Sequence, residues 1–203
     1  MDRERFEKQL NFILEIDKEK QILRQTHIRG YSRQEDDAEH AWHMAVMAFL
    51  LQEYSNEKID IGRTMLMLLI HDLVEIDAGD TYAYDAEANK TKDEREHKAA
   101  ERIYGLLPED QGKMLMDLWL EIEAYEKKEA RFAHVMDNFQ PLLLNHENDG
   151  KDWTRHNVRI SQPLKRNEKT ATGSEEIWSY MEEILEQSIR DGKIIDDREE
   201  KQE

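Results

Sequence analysis

The segment Leu66-Met-Leu-Leu-Ile-His71-Asp72-Leu-Val-Glu75-Ile-Asp-Ala-Gly79-Asp80 decides how this chain folds. From Met65 to Ile70 it is apolar without interruption, and its Met and Leu residues favour a helix over a buried strand. A helix that is apolar almost all round belongs in the middle of a fold. Yet it runs directly into His71-Asp72, and an unpaired charged group in an apolar core costs several kcal/mol. The dipeptide therefore needs a partner. Consecutive helical residues point about 100° apart, but both side chains can reach one ion lying beside the helix end. Glu75 stands at i+4 from His71 and i+3 from Asp72, on their side of a continuing helix. From there a carboxylate can orient or deprotonate a water molecule without being a ligand itself.

Working outward, the same periodicity predicts helices on both sides. One covers roughly 3–22, with Phe6, Leu10, Ile13 and Leu14 along one stripe. The next runs over about 37–54, with His40, Met44, Met47, Leu51 and Tyr54 on a shared face, and the central helix spans about 61–75. A loop of small, polar and aromatic residues over 77–89 contains Ala78-Gly-Asp-Thr-Tyr-Ala-Tyr-Asp85. Further helices are predicted at about 93–106 and from Pro108, a residue preset for a first helical turn. Another covers about 129–145, with Phe132, Val135, Met136 and Phe139 inward; Pro141 bends it or marks its last turns. Residues 150–169 read as looser and basic, with Lys151, Arg155, Arg159, Lys165, Arg166 and Lys169 against Asp152 and Glu168. A final amphipathic helix starts at the cap Ser174, with Ile177, Met181, Ile184, Leu185 and Ile189 inward. No repeat and no alternating pattern demands a sheet. The expectation is an all-α fold: one helical domain over 1–195, with its core at about 5–145, a helical extension at 150–191 and a charged tail at 196–203.

Composition narrows the function classes. A chain of 203 residues suits one domain with a substantial core. It has no cysteine, which excludes disulfides, thiolate zinc sites and a cysteine nucleophile, and fits a reducing cytoplasm. The opening MDRERFEKQL is charged where a signal peptide is apolar. The longest apolar run, 44–51, is too short to cross a bilayer. A soluble, cytoplasmic protein with no membrane partner is expected. The formal charge of −17 argues against a nucleic-acid surface, because phosphate backbones demand clustered Lys and Arg. A small anionic substrate stays compatible, since a bound divalent cation can dominate the potential inside a pocket.

A single ion needs more ligands than His71 and Asp72. His40 belongs to the inward stripe of the second helix, and Asp137 sits among Phe132, Val135, Met136 and Phe139. Three separated helices thus offer His, His-Asp and Asp. Imidazole and carboxylate without sulfur suit Mn²⁺, Co²⁺, Fe²⁺ or Zn²⁺ better than Ca²⁺ or copper. Taken singly, each residue also has a plain structural reading. A lone inward His40 can be a hydrogen-bonded core residue, Asp137 a buried helix-pairing group, and His43, one turn from His40, a supporting or core residue. Glu94-x-x-His97 has half the pattern of a di-iron bundle, but no second Glu-x-x-His exists, so it reads as a solvated face. The Met-rich stripes read as core.

Taken together, Ala38-Glu39-His40, His71-Asp72 with Glu75 and Gly79-Asp80, and Asp137 resemble the H…HD…D signature of the HD-domain superfamily. The branch most similar contains bacterial 5′-deoxynucleotidases, and the likeness covers roughly residues 5–145, with Gly150-Lys-Asp-Trp153-Thr-Arg-His156 also similar to related bacterial proteins. The resemblance implies a compact helical bundle with a central metal cleft, often as a homodimer. It implies that His40, His71, Asp72 and Asp137 bind one divalent metal (Mn, Co, Fe, Zn or Mg), that Glu75 positions or activates the attacking water, and that Asp80 sits at the substrate near the sugar or leaving oxygen. Arg24 precedes His40 at about the distance of a phosphate-contacting arginine in the deoxynucleotidases. Its neighbour is Gln25 where that group carries a tryptophan, so the role of Arg24 and selectivity for a 2′-deoxyribose stay open, with Arg29 and Arg33 as rivals.

The activity implied is hydrolysis of the phosphomonoester of a nucleoside or deoxynucleoside 5′-monophosphate. Two alternatives stand beside it. One is another HD phosphohydrolase, acting on a nucleoside triphosphate, which would want the basic 151–169 segment folded over the cleft, or on a cyclic phosphodiester. A two-metal phosphodiesterase would want more mid-chain histidines, and His97 alone lies between His71 and His134. The other is a non-catalytic metal-binding or ligand-sensing helical protein, against which the presence of Glu75 and Asp80 argues.

Overall fold

Asp2 opens the first helix, α1 (Arg3–Ile16), its carboxylate accepting the Arg5 N–H as a cap of the kind that supplies one unpaired helix-end donor. The structure is a computed structural model that describes residues 1–84 and 87–198. Asp85 of the loop and 199–203 of the charged tail, like Ala86, lie outside the described residues. After a 3-10 turn at Asp17–Gln21 the chain forms a two-stranded antiparallel hairpin, β1 (Leu23–His27) and β2 (Gln34–Asp36), pairing Leu23 with Asp36 and His27 with Gln34. The sequence gives no alternating signal for it because the strands are short and polar, and their support comes from elsewhere. The Gln34 amide donates to the Arg24 carbonyl, Asp152 accepts the His27 N–H, and Asn148 donates to the carbonyls of His27 and Ile28.

The second helix, α2 (Asp37–Leu51), starts on a capping box between Asp36 and Glu39. Asp60 caps α3 (Ile61–Ile70), which passes through a 3-10 turn, His71–Val74, into the short α4 (Glu75–Ala78). Then come α5 (Lys92–Tyr104), α6 (Glu109–Ala124) directly after Pro108, and α7 (Lys128–Glu147). Pro141 lies inside α7, which continues to Glu147, so it neither ends the helix nor marks its last turn. Lacking an N–H, it removes the bond that would close on the Asp137 carbonyl. A left-handed corner at Asp149 and Gly150 leads to α8 (Lys151–Arg155) and α9 (Ser161–Arg166). A Cβ at Gly150 would approach Lys193 Cβ to 2.7 Å, so that corner takes glycine for space as well as for φ. The last helix, α10 (Glu175–Arg190), is capped by Ser174, which accepts the Ile177 N–H.

Helices α2, α3 and α7 pack together at the centre, with α5, α6 and α10 around them. Met44, Met67, Leu68, Ile103, Phe132, Met136 and Met181 are fully enclosed there, each such side chain stabilising the fold by about 1.5–3 kcal/mol. The fold is all-α apart from the hairpin, and no described helix is long and apolar enough to cross a membrane.

Two features depart from the periodicity. On α1 the buried residue is Phe12, while Phe6, Leu10, Ile13 and Leu14 are exposed, Leu14 at 71 %. Helix α1 is held at the edge by Phe12 and by polar links, Arg5 to Asp110 and Gln9 to Gln111, and its apolar stripe turns outward. Likewise α3 is not buried all round: Leu66 and Leu69 face solvent, beside Trp42, Val46, Phe49 and Leu50 of α2. Tyr54 is exposed as well. Periodicity reports which face is apolar, not what covers it.

Candidate metal centre

The centre lies where the first turn of α2, the end of α3 and the middle of α7 meet. His40 is wholly buried, His71 and Asp72 occupy the turn that ends α3, and Asp137 projects from α7. One ligand atom from each of His40, His71 and Asp72 lies within 4.8 Å of the others. Asp137 Oδ1 is 3.2 Å from His40 Nε2 and 3.9 Å from His71 Nε2, and Asp72 Oδ1 is 3.1 Å from His71 Nε2.

Both imidazoles are oriented from behind. His71 Nδ1 lies 3.0 Å from the Leu68 carbonyl, so it carries the proton and donates. His40 Nδ1 lies 2.9 Å from Gln140 Oε1, and the same amide is fixed because its Nε2 donates to Glu35 Oε1 at 2.6 Å and lies 3.1 Å from His43 Nδ1. Each ring therefore turns its Nε2 toward carboxylate oxygens. The buried Nε2 of His71 makes no hydrogen bond. Two imidazole lone pairs facing carboxylates repel unless a cation stands between them, which is the arrangement of His–carboxylate metal sites whose second nitrogen is pinned. The residues present fit a divalent cation.

The electrostatics describe the same need. Burial lowers the pKa of His71, but Asp72 and Asp137 override it and push it up to about 9, so a proton takes up the charge in the protein alone. Burial raises Asp137, yet hydrogen bonding from His40 and the nearby His71 and Arg166 hold it well below the usual carboxylate range. Asp72 is likewise kept low against burial by His71, Arg24 and His40. Glu75 goes the other way: burial first, then Asp72 and Asp37, push it up to about 11. Burial also raises Asp80, with Arg24 opposing.

A cleft of about 140 Å³ opens beside these groups, lined by Arg24, Asp72, Glu75, Asp80, Lys92 and Asp137. Tyr82, Trp153, His156, Pro163, Arg166 and Asn167 are also among its lining, so the basic segment does border the cleft. Arg24 is nearly enclosed, with Nη1 3.1 Å from Asp37 Oδ1 and 2.9 Å from Asp72 Oδ2. Arg29 and Arg33 lie on the outer surface, paired with Glu147 and Glu39. His97 is exposed beside Glu101.

Several residues here carried no warning in the sequence reading. Asp37, fully buried, stands three residues before His40 on the same helix side; burial, then Asp72, raise it to about 7. Gln140 stands three residues after Asp137, and that spacing was the available signal. Glu19, raised by burial and by Asp72 and Asp37 to about 8, and Glu35 are placed by turns and strands that periodicity does not reveal.

The sequence model of the HD domain matches residues 16–178, and the chain belongs to that family. Among curated proteins it is similar to 5′-deoxynucleotidase HDDC2 of Homo sapiens, 33 % identical over 115 residues, which are 57 % of this chain and 55 % of that protein. The Danio rerio protein of the same name is 32 % identical over 119 residues, 59 % of this chain and 58 % of that one. The match thus spans little more than half the length of these curated relatives. Among solved structures, a "predicted metal-dependent phosphohydrolase" from Magnetospirillum magnetotacticum MS-1 has a TM-score of 0.90 at 47 % identity, covering 94 % of this chain and 96 % of that one. The PH0347 protein of Pyrococcus horikoshii OT3, at 21 % identity and a TM-score of 0.59 over 89 % of this chain and 98 % of that one, shares the fold.

Proposed function

We propose that this chain is a metal-dependent phosphohydrolase that releases orthophosphate from a nucleoside or deoxynucleoside 5′-monophosphate. The observation that carries the reading is a His40–His71–Asp72 cluster with Asp137 at its edge and Glu75 one turn away, of which Asp72, Glu75 and Asp137 line one cleft. The relatives named for 5′-deoxynucleotidase and phosphohydrolase activity support it. The aromatic wall of Tyr82 and His156, with ring centroids 4.8 Å apart, supports a nucleoside as the leaving group.

In this reading His40, His71, Asp72 and Asp137 hold one divalent ion, Mn, Co, Fe, Zn or Mg. Such an ion supplies Lewis acidity toward the phosphoryl oxygens. Glu75 is protonated in the metal-free protein, and a divalent cation at the cluster would favour its ionised form; as a carboxylate it orients the attacking water and accepts its proton. The water oxygen bonds to phosphorus, the P–O5′ bond breaks, and the proton passes to the departing 5′-oxygen, with Asp80 at the sugar side.

Metal-stripped protein resupplied with Mn²⁺, Co²⁺, Mg²⁺ or Zn²⁺ should release orthophosphate from nucleoside monophosphates. Release of pyrophosphate or tripolyphosphate from triphosphates would redirect the reading, and no phosphate from any nucleotide would overturn it.

The same chain is read as a homodimer. Trp42, Val46, Phe49 and Leu50 on α2 and Leu66 and Leu69 on α3 are exposed apolar side chains on two helices packed against each other, a concentration that supports an interface. Sedimentation velocity at micromolar concentration should give a dimer of the 24.2 kDa chain; a single monomer species would remove this assignment.

A further inference from the structure

The cleft is strongly acidic, and a phosphate dianion can enter it only beside a cation with hydrogen-bond donors to spare. Among the described residues three cationic side chains line it: Arg24, Lys92 and Arg166. They differ in how far they are already engaged. Arg24 is nearly enclosed and gives its Nη1 to both Asp37 and Asp72, so two carboxylates already compensate its charge, although its Nε has no partner. Lys92 lies 3.4 Å from the buried carboxylate of Glu96, one turn along α5. Arg166 has one long contact among the described residues, Nη2 to Asp137 Oδ2 at 3.5 Å, and its side chain is 34 % exposed.

The place of Arg166 matters as much as its freedom. It comes from the end of α9, in the segment that borders the cleft, and its guanidinium stands next to the outer oxygen of Asp137. The inner oxygen of that carboxylate faces His40 and His71. A group bound at the cluster is therefore within reach of a planar fork of donors that can hold two phosphoryl oxygens at once. Arg24 lies at the opposite side of Asp72, where its two carboxylate partners make it a brace for that residue.

We propose that Arg166 is the side chain that anchors the free phosphoryl oxygens of the substrate, and that Arg24 acts as a positioning residue for Asp72 and Asp37. The assignment rests on the phosphomonoesterase reading above. It makes α9 part of the binding site, so substrate preference is written partly in residues 151–169.

The test is calorimetric titration of inorganic phosphate into Mn²⁺-loaded wild-type, Arg166→Ala and Arg166→Lys proteins, with Mn²⁺ affinity measured separately for each. Losing charge-assisted hydrogen bonds should weaken phosphate binding roughly 10- to 100-fold in Arg166→Ala. Mn²⁺ affinity should stay within about threefold, because Arg166 is not a ligand and its one contact with Asp137 is long, 3.5 Å. Arg166→Lys, which keeps the charge and loses the fork, should recover part of the affinity. Unchanged phosphate affinity in Arg166→Ala would overturn the proposal. So would a parallel fall in Mn²⁺ affinity, which would make Arg166 a prop for Asp137. Failure of the enzymatic reading is separate: wild-type protein would then turn over no monophosphate, whereas phosphate binding would still depend on Arg166. In steady-state assays of an active enzyme, Arg166→Ala should raise KM for the monophosphate and leave inhibition by the free nucleoside unchanged.

Discussion

His71→Ala protein should lose its metal and its phosphate release together. His71 is pinned through Nδ1 to the Leu68 carbonyl, and its Nε2 faces Asp72 and Asp137 with no hydrogen bond of its own. Removing the ring leaves two buried carboxylates facing each other without the group that separates their charges. Outer partners of a metal-bound imidazole are worth about 10- to 100-fold in affinity, so loss of a ligand should cost at least about 100-fold. Turnover should fall to background, and the melting temperature of metal-free protein should fall as well, because the protonated ring that compensates Asp72 and Asp137 is gone. Inductively coupled plasma analysis of the loaded variant beside a phosphate-release assay gives both numbers. A variant that kept stoichiometric metal and wild-type turnover would sink the assignment of this cluster.

Glu75→Gln should separate the two properties. The side chain is isosteric, so packing is kept, but the amide cannot accept a proton. Metal affinity should be nearly unchanged, and turnover should drop by roughly 10²- to 10⁴-fold, the usual contribution of a positioned general base. The metal-free variant should also be at least as stable as wild type at neutral pH, since Glu75 is held protonated there by burial and by Asp72 and Asp37. Full turnover in Glu75→Gln would rule out Glu75 as the proton acceptor. Equal losses of metal and turnover would make it a ligand instead.

Much of the candidate site was legible because it sits on helices with strong periodicity. An apolar run that ends in His-Asp with a carboxylate one turn on can be read directly, and the inward stripes of α2 and α7 pointed to His40 and Asp137. The groups that orient those residues were less visible. Gln140 and Glu35 have no distinctive motif, and a neutral amide gives no sign in a sequence that it fixes a histidine tautomer. Arg24 stood out only through the family resemblance; its place beside Asp72 depends on a hairpin whose polar strands carry no hydrophobic alternation. The basic 150–169 segment was read as basic, but which of its cations reaches the cleft depends on the corner at Gly150 and on packing against α7. The outward stripes of α1 and α3 show the converse limit, where an apolar pattern is real and this chain alone does not cover it.

The hairpin that carries Arg24 is held by Asn148 and Asp152, and the bond from His27 to Asp152 joins residues 125 positions apart. Closing so long a stretch of chain is entropically demanding and slow, and it gives nothing back until both ends have formed. The cleft thus depends on a contact between distant parts of the chain, and the helices that carry His40, His71 and Asp137 do not by themselves deliver Arg24. Any change that delays the meeting of residues 27 and 152 will leave a chain that is helical and well collapsed, yet not competent at its site.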